Sequence, residues 1–235
     1  MNSDLRLSVA AWASWDGQSD EVVTGGAVGE RPALPASLRR RVTPMGRKAL
    51  ELAWSVLPED GQGGEPPRLV LASRHGEYER TFGLLDGLAQ SGEVSPADFS
   101  LSVHHALVGL LSIATGNRQG HCAVAAGTDS CGYGLLEAAT FTAEQGRSSL
   151  LIAFDGLLPD IYAPVAFEPC PYPSAVAMLL VPPGQKAALH LDMRMEPRGQ
   201  GAEICLQQEL RAVLSRGGER LARGGRHDWR WRHEA

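Results

Sequence analysis

Lysine is almost missing from this sequence: Lys48 and Lys186 are the only two among 235 residues, and arginine supplies the rest of the 22 basic side chains. Acidic residues number 27, so the formal net charge is −5 at neutral pH. A chain of that sign carries no electrostatic footprint for nucleic acid. Cysteine is sparse as well. Cys122, Cys131, Cys170 and Cys205 stand far apart with no Cys-x-x-Cys pair, which removes the common zinc and dithiol motifs. The first residues, MNSDLRLSVAAWASWDG, have neither a basic start nor a long apolar run and do not read as an export signal. Without such a signal the expectation is a cytoplasmic protein with free thiols. No stretch approaches the ~20 apolar residues of a membrane span. Internal repeats, heptads and low-complexity segments are also missing.

What is present suits a packed core, since 43% of the residues are apolar. We read one unit over 1–235, with its core at about 65–182 and an extension at about 183–235. Residues 5–13 read as a strand, followed by a Gly-rich loop. SLRRRVTPMGRKALELAWSVL reads as a helix, with Thr43 as N-cap and Pro44 in the first turn. A loop over 58–67 leads to a short buried strand at 68–72. GEYERTFGLLDGLAQSG has helical apolar spacing and stops at Gly92. SLSVHHALVGLLSIATG reads as a further helix, closed by Gly116.

A strand at HCAVAAG, a helix to Gln145 and an apolar strand at SSLLIAFDG come next. After a Pro-rich excursion, SAVAMLLV and AALHLDMRM read as strands, the second alternating Leu189, Leu191, Met193 and Met195. CLQQELRAVLSRGGERLA reads as a helix, and HDWRWRH as a strand with Trp229 and Trp231 on one packed face. Strand–helix alternation up to Asp155 predicts an α/β fold: a mixed, mostly parallel sheet with helices on both faces.

The stretch HCAVAAGTDSCGYGLLEAA joins a buried strand, a glycine turn and a helix of small residues. A helix N-terminus offers free N–H groups and a positive dipole end, which activate a thiol and hold an oxyanion. Gly132, Gly134, Ala138 and Ala139 let this helix pass close to other layers, so it reads as a buried central helix. Thr128, Asp129, Ser130 and Cys131 are the candidates on the turn. The run is similar to the G-x-S-x-G elbow, but Thr128 replaces the first glycine, and Asp129 and Ser130 read as helix caps. Cys131 reads either as a nucleophile with His104 or His105 as base, or as a small core residue.

Adjacent helical histidines diverge by about 100° and cannot share a metal, so no metal site is expected. GTDSCGYG lacks the Lys-Ser/Thr ending of a phosphate loop. Arg74, His75 and Glu77 follow the short strand, where α/β proteins bind ligands; a plain polar loop is the other reading. The arginine-rich end, RLARGGRHDWRWRHEA, reads as a solvated surface or as a contact for an acidic carrier protein.

AVAAGTDSCGYGLLEAA resembles the nucleophile turn of the β-ketoacyl synthases, members of the thiolase superfamily. SPADFSLSVHHALVGLLSIATGNRQGHCAVAAG resembles their pocket helix and the strand feeding that turn. The resemblance is carried by residues 65–182 and implies a thiolase-like half-fold. It places Thr128 at the nucleophile position, where the family has cysteine. Neither histidine segment of the family's second half is found, and His190, His227 and His233 lie in other contexts.

Together, VAAWASW, RRRVTPMGRKALELAW, LASRHGE, SPADFSLSVHHALVGLLSI and AAGTDS resemble the ketoacyl synthase chain length factors of aryl polyene clusters. That implies a non-catalytic subunit pairing with a full-length β-ketoacyl synthase, as a dimer or tetramer, and working on acyl carrier protein with no cofactor. Phe99, Val103, His104, Leu107, Val124 and Ala125 are then the candidates for the partner's tunnel wall and the dimer edge. The alternatives are an acyltransferase or thioesterase using Cys131, and a scaffold that recruits the carrier.

Overall fold

The structure is a computed structural model that describes residues 4–29, 33–58, 65–164 and 168–233. The sequence expectations for 59–64 and 165–167 lie outside the described residues. The first strand, β1 (Leu5–Asp16), is flanked by a short β2 (Glu21–Gly26) where a Gly-rich loop was expected. Then follow α1 (Ala36–Arg39), α2 (Pro44–Val56), β3 (Arg68–Ala72), α3 (Tyr78–Ser91), α4 (Pro96–Ser102) and α5 (Ala106–Ala114). The second part holds β4 (His121–Val124), α6 (Ser130–Gln145), β5 (Ser149–Asp155), β6 (Ser174–Val181) and β7 (Leu189–Pro197). It ends with α7 (Leu206–Arg216), β8 (Gly218–Arg223) and β9 (His227–His233).

All nine strands share one mixed sheet, ordered β4-β3-β5-β6-β1-β7-β9-β8, with β2 beside the end of β1. Parallel pairing is confined to β4-β3-β5, the part built by strand–helix crossovers. Every other described pair is antiparallel. The expected mixture is therefore present, but antiparallel pairs dominate where mostly parallel ones were expected. The N-terminal strand enters the sheet against β6, and the last three strands add as an antiparallel unit, which strand–helix alternation does not foretell.

β5 and β6 are buried along their whole length, as their unbroken apolar runs require of strands covered on both faces. One apolar cluster packs α6 and α7 with Trp229 and Trp231 on one face; the other packs α1, α2 and α5 on the opposite face. α2 starts as read, with Thr43 Oγ1 accepting from Gly46 N at 3.1 Å and Pro44 in the first turn. α3 ends on Gly92 in the left-handed region at φ 73°.

The stretch expected as one helix over 100–116 is instead divided between the end of α4 and α5, which are bent by 97° at Val103–His105. There His104 Nε2 meets the Ser73 carbonyl at 2.7 Å, which draws the break onto the end of β3. The last expected helix is cut short at Arg216. Gly217 and Gly218, at φ 69° and 83°, turn the chain into β8 instead. Among the described residues no single helix is long and apolar enough to cross a membrane.

Candidate functional site

The turn between β4 and α6 is braced from below and held from above. Gly127 takes φ 64°, which a side chain rarely adopts. Ser130 Oγ accepts from Ala126 N at 2.9 Å and donates to the Gly127 carbonyl at 2.6 Å, so its hydroxyl shapes the turn. Asp129 stands at the N-cap of α6 but makes no side-chain cap bond, contrary to the expected role. Its buried carboxylate accepts from Trp229 Nε1 and from the Arg226 backbone N–H, both at 2.7 Å. The β8–β9 loop thus lies on the turn. A methyl group on Gly225 would sit 2.8 Å from Thr128 Oγ1, and one on Gly132 would overlap the Trp229 indole. The small residues of α6 make room for that indole and, at Gly134, for Ala72 of β3.

Cys131 is 1% exposed. Burial, and next the nearby Asp155 charge, push its thiol far above the ordinary range, so it stays protonated. The proposed bases are engaged elsewhere. His104 bonds to the Ser73 carbonyl, and His105 stacks on His121 with ring centroids 6.0 Å apart. Thr128 is left at the head of the helix, and a threonine hydroxyl needs a base beside it to attack.

Arg74 and His75 converge on a residue that sequence reading missed, Glu168, at 3.3 and 3.0 Å. Glu77 leaves this group. It takes the Thr43 N–H and hydroxyl at 3.1 and 2.5 Å and faces Arg80. Its burial raises the carboxyl above its usual range against those donors. Asp155, at the end of β5, is a second missed residue. Its Oδ1 accepts from Ser73 Oγ and the N–H groups of Arg74 and His75, and its Oδ2 from Gln207 Nε2. An acid closing a wholly apolar strand was the available signal. Beside this loop lies a cavity of about 380 Å³ lined by Trp15, Met45, Lys48, His75, Tyr78 and Leu157 among others.

The tunnel-wall candidates also separate. Phe99 and Val103 are 62% and 41% exposed, and Ile113, unforeseen, is 78% exposed. Leu107 is 1% exposed and belongs to the core on the α2 face, which removes it from any partner-facing wall. Val124 is half-buried against the α6 side, and Ala125 is exposed. β4 is the edge strand of the sheet.

Free thiols were expected throughout, yet Cys170 and Cys205 are joined by a disulfide, their Cα atoms 4.6 Å apart. The fold brings together two positions that sequence spacing keeps apart. In the arginine-rich end, Arg230 meets Glu196 and Glu219 and Arg232 meets Asp192, and upstream of it Arg198 meets Asp228. Among the described residues no His, Cys, Asp and Glu cluster is suited to a metal ion.

The family model described as β-ketoacyl synthase, N-terminal domain, matches residues 12–232. The chain belongs to that family. The match runs well beyond the 65–182 stretch that carried the resemblance. The fold is similar to a chain of the ketosynthase ApeO in complex with its chain length factor ApeC from Xenorhabdus doucetiae. That match has 27% identity and a TM-score of 0.77, over 97% of this chain and 99% of the other. The ishigamide ketosynthase/chain length factor matches at 13% identity and TM-score 0.56, over 83% of this chain and 64% of that one. A chain of the AntDE:AntF complex, a type II PKS acyl-carrier protein with its ketosynthase bound to the hexaketide, matches at 12% identity and TM-score 0.63, over 83% of this chain and 70% of that one. The latter two show the thiolase-like fold alone. No curated protein matches the sequence.

Proposed function

We propose that this chain is a non-catalytic chain length factor. It pairs with a full-length β-ketoacyl synthase, in the cytoplasm, during aryl polyene chain elongation on acyl carrier protein, and it walls the partner's acyl tunnel. The observation that carries the reading is the turn itself. The family resemblance puts Thr128 at the nucleophile position, and in support the thiol of Cys131 is buried and protonated and the imidazoles of His104 and His105 are bound elsewhere. The likeness to the ApeO–ApeC complex supports a synthase partner.

The exposed edge of β4 supports the pairing. Its outer N–H and C=O groups are free to continue the sheet into a second subunit. Exposed Ile113, on α5 packed beside β4, supplies apolar area near it, contributing at most roughly 1.5–3 kcal/mol when covered. For the carrier protein, support comes from Arg39, Arg40, Arg41 and Arg47. All four are exposed and have no carboxylate partner among the described residues. Such a patch steers an acidic partner.

Co-expression with candidate synthases, followed by sizing, tests the proposal. A stoichiometric complex that condenses, from a subunit that does not condense alone, is the expected result. Condensation by the purified chain alone overturns it, and so does a stable monomer that binds no synthase.

A further inference from the structure

The Cys170–Cys205 bond does more than join two segments. Cys170 lies between β5 and β6, and Cys205 is the N-cap residue of α7. Both sulfurs lie 3.7 Å from Gln207 Oε1, and the amide's other end donates to Asp155 Oδ2 at 2.8 Å. Asp155 in turn holds Ser73, Arg74 and His75. Arg74 and His75 reach back to Glu168, two residues before Cys170. The contacts close a ring: disulfide, Gln207, Asp155, the loop after β3, Glu168 and the disulfide again. Pro173, at the far end of this stretch, and His75 both line the 380 Å³ cavity.

We propose that this bond is a reversible thiol-modification site that clasps Glu168–Pro173 to the head of α7 and thereby sets the polar loop beside the cavity. The two sulfurs are not equivalent. Cys170 is half-buried, whereas Cys205 is 4% exposed. An external dithiol therefore attacks at Cys170. A new S–S bond forms between reagent and Cys170 as the Cys170–Cys205 bond breaks, and Cys205 leaves as a thiolate. That thiolate forms at the N-terminus of α7, an 11-residue helix, where unpaired N–H groups and the dipole favour an anion. It then takes a proton from water. The reagent's second thiol displaces Cys170, so the dithiol is oxidised to a disulfide and the protein is reduced to two thiols. Closing runs the same exchange backward with an added disulfide such as oxidised glutathione.

The test uses the full chain under native conditions. Dithiothreitol is added, free thiols are alkylated and mapped by mass spectrometry, and hydrogen exchange of residues 73–76 and 168–174 is timed. Reduction is expected to add alkyl groups at Cys170 and Cys205 and to speed that exchange by about tenfold, with reversal by oxidised glutathione. Cys170→Ser is expected to exchange at the fast rate in both conditions. If that variant fails to fold, the wild-type comparison still decides. A bond that opens only in denaturant, a pair that oxidised glutathione leaves as thiols, or exchange indifferent to reduction overturns the proposal.

Discussion

The indole N–H of Trp229 donates to Asp129 Oδ1 at 2.7 Å, joining the last strand to the head of the central helix. The contact is buried at both ends and fixes where the C-terminal hairpin lies. Trp229→Phe keeps most of the ring but leaves a buried carboxylate with the Arg226 N–H as its remaining donor. A buried acceptor losing its partner costs about 1–3 kcal/mol. The urea midpoint should fall accordingly with the m-value unchanged. A change under about 0.5 kcal/mol would show that the hairpin is held by packing alone.

Gly132→Ala sets two effects against each other. Alanine improves helix propensity by about 1 kcal/mol. The added methyl group overlaps the Trp229 indole, and overpacking costs about 1–3 kcal/mol. Packing should win, so the variant should be less stable than the wild type in the same unfolding series. A stabilised variant would mean the indole can move aside freely.

Asp155 gives the protein a pH signature. Burial raises its carboxyl above the ordinary value of 3.8, despite donors from Ser73, Arg74, His75 and Gln207. A raised carboxyl contributes its full stability below pH 3.8 and loses it as pH climbs through the folded-state value. Asp155→Asn removes that titration. The stability of wild type relative to variant should fall as pH rises above 3.8 and then level off. Unfolding curves of both proteins across that window check the sign; a difference that grows with pH would reverse it.

Several of these relationships were legible in the sequence, and others were not. Local signals carried the Thr43 cap, the Gly92 stop and the packed Trp229 and Trp231 face, because each depends on neighbours a few residues away. The turn at Thr128 was legible for the same reason. Asp129 was misread because its partner lies across the fold, and a local cap was the nearer explanation. The Cys170–Cys205 pair and the Glu168 contacts escaped because a long excursion must fold before they meet. Leu107 was misplaced by reading one helix where His104 breaks two, which turned its side chain from a wall into the core.

Arg40→Glu with Arg41→Glu tests the carrier surface. Neither side chain has a carboxylate partner among the described residues, so folding should be little affected. Binding of acyl carrier protein to the synthase complex should weaken by about tenfold at low salt, with the gap narrowing as salt is added. Equal affinity at all salt concentrations would move carrier docking to another face.

Phe99 is the sharpest test of the tunnel wall because it costs the free subunit little. It is 62% exposed on α4, so trimming it removes almost no core contact. If it projects into the partner's tunnel, its bulk sets where the growing chain stops. Phe99→Ala should lengthen the product by at least one extension step, and Phe99→Trp should shorten it. Complex formation should survive both changes, since the β4 edge does not depend on this residue. Product analysis by mass spectrometry on the reconstituted pair reads the outcome. An unchanged product from both variants, with the complex intact, would favour a scaffold that recruits the carrier and leaves the acyl chain untouched.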